Sequence, residues 1–236
     1  MKKKILALCL VVVLAVTAVT GATLAYFTDT DKADNVFVIG NIDIDLEEKQ
    51  YDHENSQWID YVDEKPMLPI DDNAGNKLYN KAVNTHNIST NGEPVYIRTL
   101  IAVEDPDVGA DVGVYSMHVG FNNANATLSN GLTRYGVDYV KHNDMTIDGR
   151  NFDVFVCTVL DGSPVQKGEY VQSLHSVWMD ENIDAAGAAA YGAKVEVYTF
   201  AQGIQAYDLT HEEAMAELGE ITNDNLTDWF VIGAAQ

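Results

Sequence analysis

The chain has 236 residues, 36 Asp and Glu against 14 Lys and Arg, and a formal net charge of −22. Phosphate backbones repel a surface of this sign, so a nucleic-acid partner is excluded. The length suits one large domain, and two cysteines leave no room for a disulfide-rich scaffold.

The chain opens as a secretory signal peptide. Lys2, Lys3 and Lys4 precede an apolar run from Ile5 to Val19, and small residues follow at Thr20, Gly21, Ala22, Thr23 and Ala25. The apolar run is short of the ~20 residues that span a bilayer. Cleavage is expected between Ala25 and Tyr26, giving a signal peptide over 1–25 and a single mature domain over 26–236. The signal takes lysines away and no acid, so the mature chain is more acidic still. Only Cys157 then remains. It lies in the β-branched run 152–160 and reads as a buried, inert thiol.

Past the acidic stretch 29–34, Asn41-Ile-Asp-Ile-Asp-Leu46 alternates strictly and predicts a half-buried strand. Residues 26–35 read as a flexible N-terminal segment. Residues 47–93 are polar and turn-rich and read as a long loop-rich excursion, with a strand near Lys81–His86. Residues 94–103 are apolar on both faces, which suits a central strand. Val112–Phe121 is a further candidate. Residues 138–147 and 151–160 flank Asp148-Gly149, a two-residue hairpin turn of the type I′ kind, and Asp161-Gly162 reads as a second such turn. Val171–Met179 and Lys194–Ile204 complete the set. About seven to nine strands at short intervals predict an all-β, jelly-roll-like antiparallel sandwich with one or two short helices. The clearest helix signal is the capping box Thr210-His-Glu-Glu213, with Gly219 as the stop; Asp184–Tyr191 is Ala-rich and could hold another.

Signals for chemistry are weak. His211-Glu-Glu-Ala-Met215 starts like a zinc-peptidase helix, but Met215 stands where the second imidazole is required. The histidines at 53, 86, 118, 142, 175 and 211 show no metal-ligand spacing, although tertiary contact can bring distant ones together. Asp29, Asp31 and Asp34, and Asp105, Asp107 and Asp111, offer oxygens to calcium without the full loop pattern. The expectation is no catalytic residues, no cofactor apart from calcium as an option, and no peptidase activity. Trp58, Trp178 and Trp229 are scattered, with Trp178 in an expected core strand.

Gly21-Ala-Thr-Leu-Ala-Tyr-Phe-Thr-Asp29 followed by Asn35-Val-Phe-Val-Ile-Gly-Asn-Ile-Asp-Ile44 resembles the TasA/camelysin family of Gram-positive bacteria. Phe27, Asp29, Phe37 and Gly40 carry the family pattern. Residues 83–98, Lys167-Gly-Glu169 with Leu174, and residues 198–206 are similar to later family segments. The resemblance implies a SipW-type signal peptidase as a processing partner and a secreted protein of the cell surface or biofilm matrix. It implies fibres as the assembled form, with itself and other matrix proteins as partners. An N-terminal donor strand would drive assembly, with Phe27, Thr28, Asp29, Val36 and Phe37 as the residues that engage a neighbour. A secreted camelysin-like metallopeptidase and a surface adhesion module are the alternatives.

Overall fold

The computed structural model describes residues 35–62, 69–105, 117–183 and 195–231. In chain order the strands are β1 (Asn35–Ile39), β2 (Ile44–Asp52), β3 (Gln57–Asp60), β4 (Pro69–Ile70), β5 (Ala82–Asn87), β6 (Val95–Glu104) and β7 (Met117–Phe121). They continue with β8 (Ala126–Thr127), β9 (Thr133–Tyr135), β10 (Val137–Ile147), β11 (Arg150–Val159), β12 (Tyr170–Asp180) and β13 (Val197–Gln205). Among the described residues three helices accompany them: α1 (Asp72–Gly75), α2 (His211–Glu217) and α3 (Asn223–Val231).

The strands form a two-sheet β-sandwich, the all-β architecture expected. One sheet has the order β1-β13-β6-β11-β10. The other runs β3-β2-β5-β12-β9-β8, with β4 and β7 also paired to β12. Pairing is mainly antiparallel, but β1 runs parallel to β13, and β4 and β9 run parallel to β12. Val38, Ile44, Leu46, Val83, Ile97, Ile101, Phe155, Val171 and Leu174 build the core between the sheets. The outer face of the β6 sheet is covered as well. Leu100, Phe152 and Phe200 pack against Leu226 and Phe230 of α3, and Tyr96 and Ile204 pack against Ala214 and Leu218 beside α2. Burial on both faces explains why β6 carries apolar residues on both, with Arg98 and Thr99 the buried polar exceptions.

Asp148 and Gly149 both adopt positive φ, 48° and 73°, and join β10 to β11 as a type I′ turn. Asp161 does not; the second turn closes from Gly162 N–H to the Val159 carbonyl, with only Gly162 at positive φ (66°). The alternation of Ile42, Ile44 and Leu46 is real, all being buried, but it does not belong to a strand starting at Asn41. Gly40, at φ 102°, breaks the chain into β1 in one sheet and β2 in the other. The Gln205 side chain lies where a Cβ on Gly40 would stand, so this corner suits glycine alone. Residues 47–93 hold more than loop: they carry the rest of β2, then β3, β4, α1 and the buried β5 that matches the strand expected near Lys81–His86.

The capping box at Thr210 and Glu213 forms as expected. Helix α3 has no counterpart in the sequence reading; Thr222 Oγ1 accepts from Asn225 N–H at its start, and Leu226, Trp229 and Phe230 make its apolar face. Cys157 is buried, and burial pushes its thiol pKa up, so it is inert as expected. Residues 1–34, with the cleavage site Ala25–Tyr26 and the segment Phe27, Thr28 and Asp29, lie outside the described residues. So do the Ala-rich 184–191, Val112, and the Asp29–Asp34 set and the Asp107 and Asp111 members of the candidate calcium sets.

Candidate functional site

The family-like segments 83–98 and 167–169 meet at one buried junction. Asn87 N–H donates to the Glu169 carbonyl at 3.0 Å, and Gly168 N–H returns a bond to the Asn87 carbonyl at 2.8 Å. The Asn87 amide nitrogen donates to the carbonyls of Glu93 and Val165, and its oxygen accepts from Ser89 N–H. This junction is architectural. Tyr96 and Arg98, on the outer face of β6, reach the C-terminal helices: Tyr96 Oη donates to the Leu209 carbonyl, and Arg98 to those of Leu218 and Gly219.

The chemistry-bearing groups gather elsewhere, at the end of β12. Trp178 and Asp180 point to the same face because strand side chains alternate. Antiparallel pairing sets His118 of β7 opposite Trp178. On the other side, parallel pairing sets Ile70 of β4 opposite Asp180, so the chain enters α1 directly over this spot. Asp71 caps α1 by accepting from Asn73 N–H at 2.7 Å, and Asp72 begins it.

His118 stacks on Trp178 with ring centroids 5.4 Å apart and planes 16° apart. Its Nε2 lies 2.7 Å from Asp180 Oδ2 and 3.6 Å from Asp72 Oδ1. The indole Nε1–H of Trp178 donates to Asp72 Oδ1 at 3.2 Å. Asp180 Oδ1 accepts from the backbone N–H and side-chain amide of Asn182 at 2.7 and 3.1 Å. Burial alone would raise the Asp180 pKa; the donors of Asn182 and the ring of His118 outweigh it and lower the pKa. Asp72 is exposed, His118 half-buried and Asp180 buried. Beside them opens a cleft of about 530 Å³ lined by Asp72, Asn76, Lys77, Phe121, Tyr139 and Trp178 among others.

Gly75 lets α1 sit this close. A Cβ there would stand 2.5 Å from the Trp178 indole. Gly75→Ala is therefore expected to push α1 off the tryptophan and to destabilise the fold by roughly 1–3 kcal/mol, as overpacking does. Trp178 fluorescence and a denaturation curve measure this.

The other histidine pairings among the described residues do not make a reactive centre. His175 Nδ1 is 2.9 Å from Ser176 Oγ, but that serine is fully buried and its oxygen accepts from Tyr79 N–H. His211 packs edge-on against Tyr96, and Met215 lies one turn further on α2 as the sequence requires. Rings do assemble into a row: Tyr51 meets Trp58, Trp58 meets Tyr79, and Tyr79 meets His175. Trp58 is 45% and Tyr79 39% exposed, but these two meet at 75°, so they form no flat platform. Of the expected assembly residues, Val36 and Phe37 lie in β1, opposite Ala201 and Gln202 of β13.

No curated protein and no solved structure matches the chain. The family model described as camelysin metallo-endopeptidase matches residues 1–66, a stretch that holds β1, β2 and β3 and none of Asp72, His118 and Asp180. Among the described residues no helix is long and apolar enough to cross a membrane. That description implies a metal, and the Asp72–His118–Asp180 donor set, an imidazole with two carboxylates, has the chemistry to hold one. The match over residues 1–66 bears out the TasA/camelysin resemblance read from residues 21–44.

Proposed function

We propose that the protein is a secreted, non-enzymatic subunit of the cell surface or biofilm matrix that polymerises by exchange of its N-terminal strand. The observation that carries this reading is the position of β1. It is the first described strand, it lies at a sheet edge, and among the described residues β13 alone pairs with it. Gly40 separates it sharply from the rest of the fold. A strand so placed can leave its own sheet and occupy the same edge of a neighbour, because the acceptor groove is identical. Such a contact is head-to-tail and extends into a filament. Val38 supplies an inward anchor, being 6% exposed in the core between the sheets, and Ile39 packs outward beside Tyr96 and Ile204.

The high negative charge opposes association at low salt and is screened within about 10 Å at 0.1 M salt. Assembly is therefore expected to depend on ionic strength. The peptidase alternative lacks a second imidazole after His211, and the exposed rings of Trp58 and Tyr79 meet at 75° instead of forming the flat platform an adhesion module would use. Electron microscopy should show filaments from a chain starting at Tyr26 in 0.15 M salt and none from a chain starting at Gly40. Equal filaments from both, or none from either under any ionic condition, would remove strand exchange from the account.

A further inference from the structure

We propose that Asp72, His118 and Asp180 form a binding site for a first-row divalent cation of the zinc class, which fastens α1 to the end of β12. The inference stands independently of strand exchange, since none of the three residues lies near β1 or its pairing edge.

Donor type comes first. One imidazole nitrogen and two carboxylate oxygens, all within 4.8 Å of one another, suit zinc and its neighbours in the first row. Calcium takes 6–8 oxygens and has little use for imidazole, so this is a different site from the calcium loops considered in the sequence.

Spacing comes next. Metal–ligand bonds of about 2.0–2.2 Å at tetrahedral angles place ligand atoms roughly 3.3–3.5 Å apart. Asp72 Oδ1 already stands 3.6 Å from His118 Nε2. Asp180 Oδ2, at 2.7 Å, is within hydrogen-bond distance and needs to withdraw by less than about 1 Å to make room.

The surroundings hold all three ligands in place. Asn182 fixes the far oxygen of Asp180, the Trp178 indole N–H holds Asp72, and the Trp178 ring fixes the plane of His118. Outer partners of this kind orient metal ligands and are worth ~10–100-fold in affinity. Two carboxylates placed together repel, and a dication between them removes that repulsion. Three protein ligands leave a fourth position, and the adjacent cleft, which Asp72 and Trp178 also line, gives it access to water.

The test is zinc titration of the chain starting at Tyr26, read by calorimetry, melting temperature and ¹⁵N shifts of the histidine rings. One equivalent of Zn²⁺ should bind, move the His118 Nε2 resonance, and raise the melting temperature by about 5 °C or more at saturation. Millimolar Ca²⁺ should not displace it. Asp72→Asn, an exposed change that leaves the core intact, should weaken binding at least ~10-fold. His118→Gln should abolish the site. No zinc binding by the parent chain, or binding that Asp72→Asn leaves unchanged with the His118 resonance unmoved, would overturn the proposal.

Discussion

Replacing Arg98 by alanine is expected to cost about 3–5 kcal/mol, lowering the melting temperature by roughly 10 °C. Arg98 is 4% exposed, and no carboxylate pairs with it among the described residues. Its charge is met instead by oxygens. Nε donates to Gln202 Oε1 at 2.6 Å, and the two terminal nitrogens donate to the carbonyls of Gly219 and Leu218 at 2.9 and 2.7 Å. Those carbonyls lie at the C-terminal end of α2, which has no basic residue in its own last turn. The sheet thus supplies the cation that the helix dipole favours there. Burial pulls the guanidinium pKa down to about 10, so it stays charged at neutral pH. Alanine would strand the two carbonyls and Gln202 Oε1 away from water. Lysine should recover less than half of the loss, because an ammonium cannot make the planar fork. Denaturant unfolding measures both variants, and an unchanged midpoint for Arg98→Ala would contradict this assignment.

Glu169→Ala should cost about 3 kcal/mol, again through stranded groups. The carboxylate is 8% exposed and accepts from Tyr135 Oη–H at 2.8 Å and from the N–H groups of Gln166 and Thr133 at 3.1 Å. Burial would raise the Glu169 pKa, but these donors outweigh it and lower it. In return, burial and the carboxylate push Tyr135 up to about 12. The sign of the pH dependence follows. A carboxylate with a lower pKa in the folded state binds its proton more tightly when unfolded. Its stabilisation is fully present above the unfolded value, ~4.3, and is lost as pH falls through the folded value. The stability gap between the parent chain and Glu169→Gln should therefore be widest at neutral pH and shrink below about pH 4. A gap that is constant from pH 7 to pH 3 would show that the carboxylate charge has no part in it.

The elements legible in the sequence are those whose signals are local. The alternation of Ile42, Ile44 and Leu46, the Asp148-Gly149 turn and the Thr210–Glu213 capping box each rest on a few adjacent residues. The two-sided burial of β6 was equally visible in apolar residues on both of its faces, on either side of Arg98 and Thr99. What failed needed a partner from elsewhere. The corner at Gly40 was missed because Asn35–Ile39 and Ile44–Leu46 are both good strands, and only their separate sheets show that they are two. Helix α3 was missed because Asn223–Val231 is weakly helical by propensity and earns its place by packing Leu226 and Phe230 on Phe152 and Phe200.

The candidate site was hidden for the same reason. His118 and Asp180 are 62 residues apart, and Asp72 arrives from a third element. No ligand spacing survives such a separation. A retrospective signal exists in Trp178-Met-Asp180, which puts an indole and a carboxylate on one strand face, but it specifies no partner. The aromatic row of Tyr51, Trp58, Tyr79 and His175 is likewise a product of pairing between β2 and β3 and of contacts that bring Tyr79 to Trp58 and His175.

Strand exchange has one direct measurement. A synthetic peptide of residues 26–39 is titrated into the chain that starts at Gly40, whose β13 edge lacks its partner. Exchange requires that the peptide bind in trans at one equivalent, restore protection of the β13 amides from Phe200 to Ile204 against hydrogen exchange, and raise the melting temperature. A peptide in which Val38 is replaced by Asp should do none of these, because a carboxylate cannot enter the core between the sheets. A chain starting at Gly40 that ignores the peptide, with its β13 amides already protected, would contradict the account.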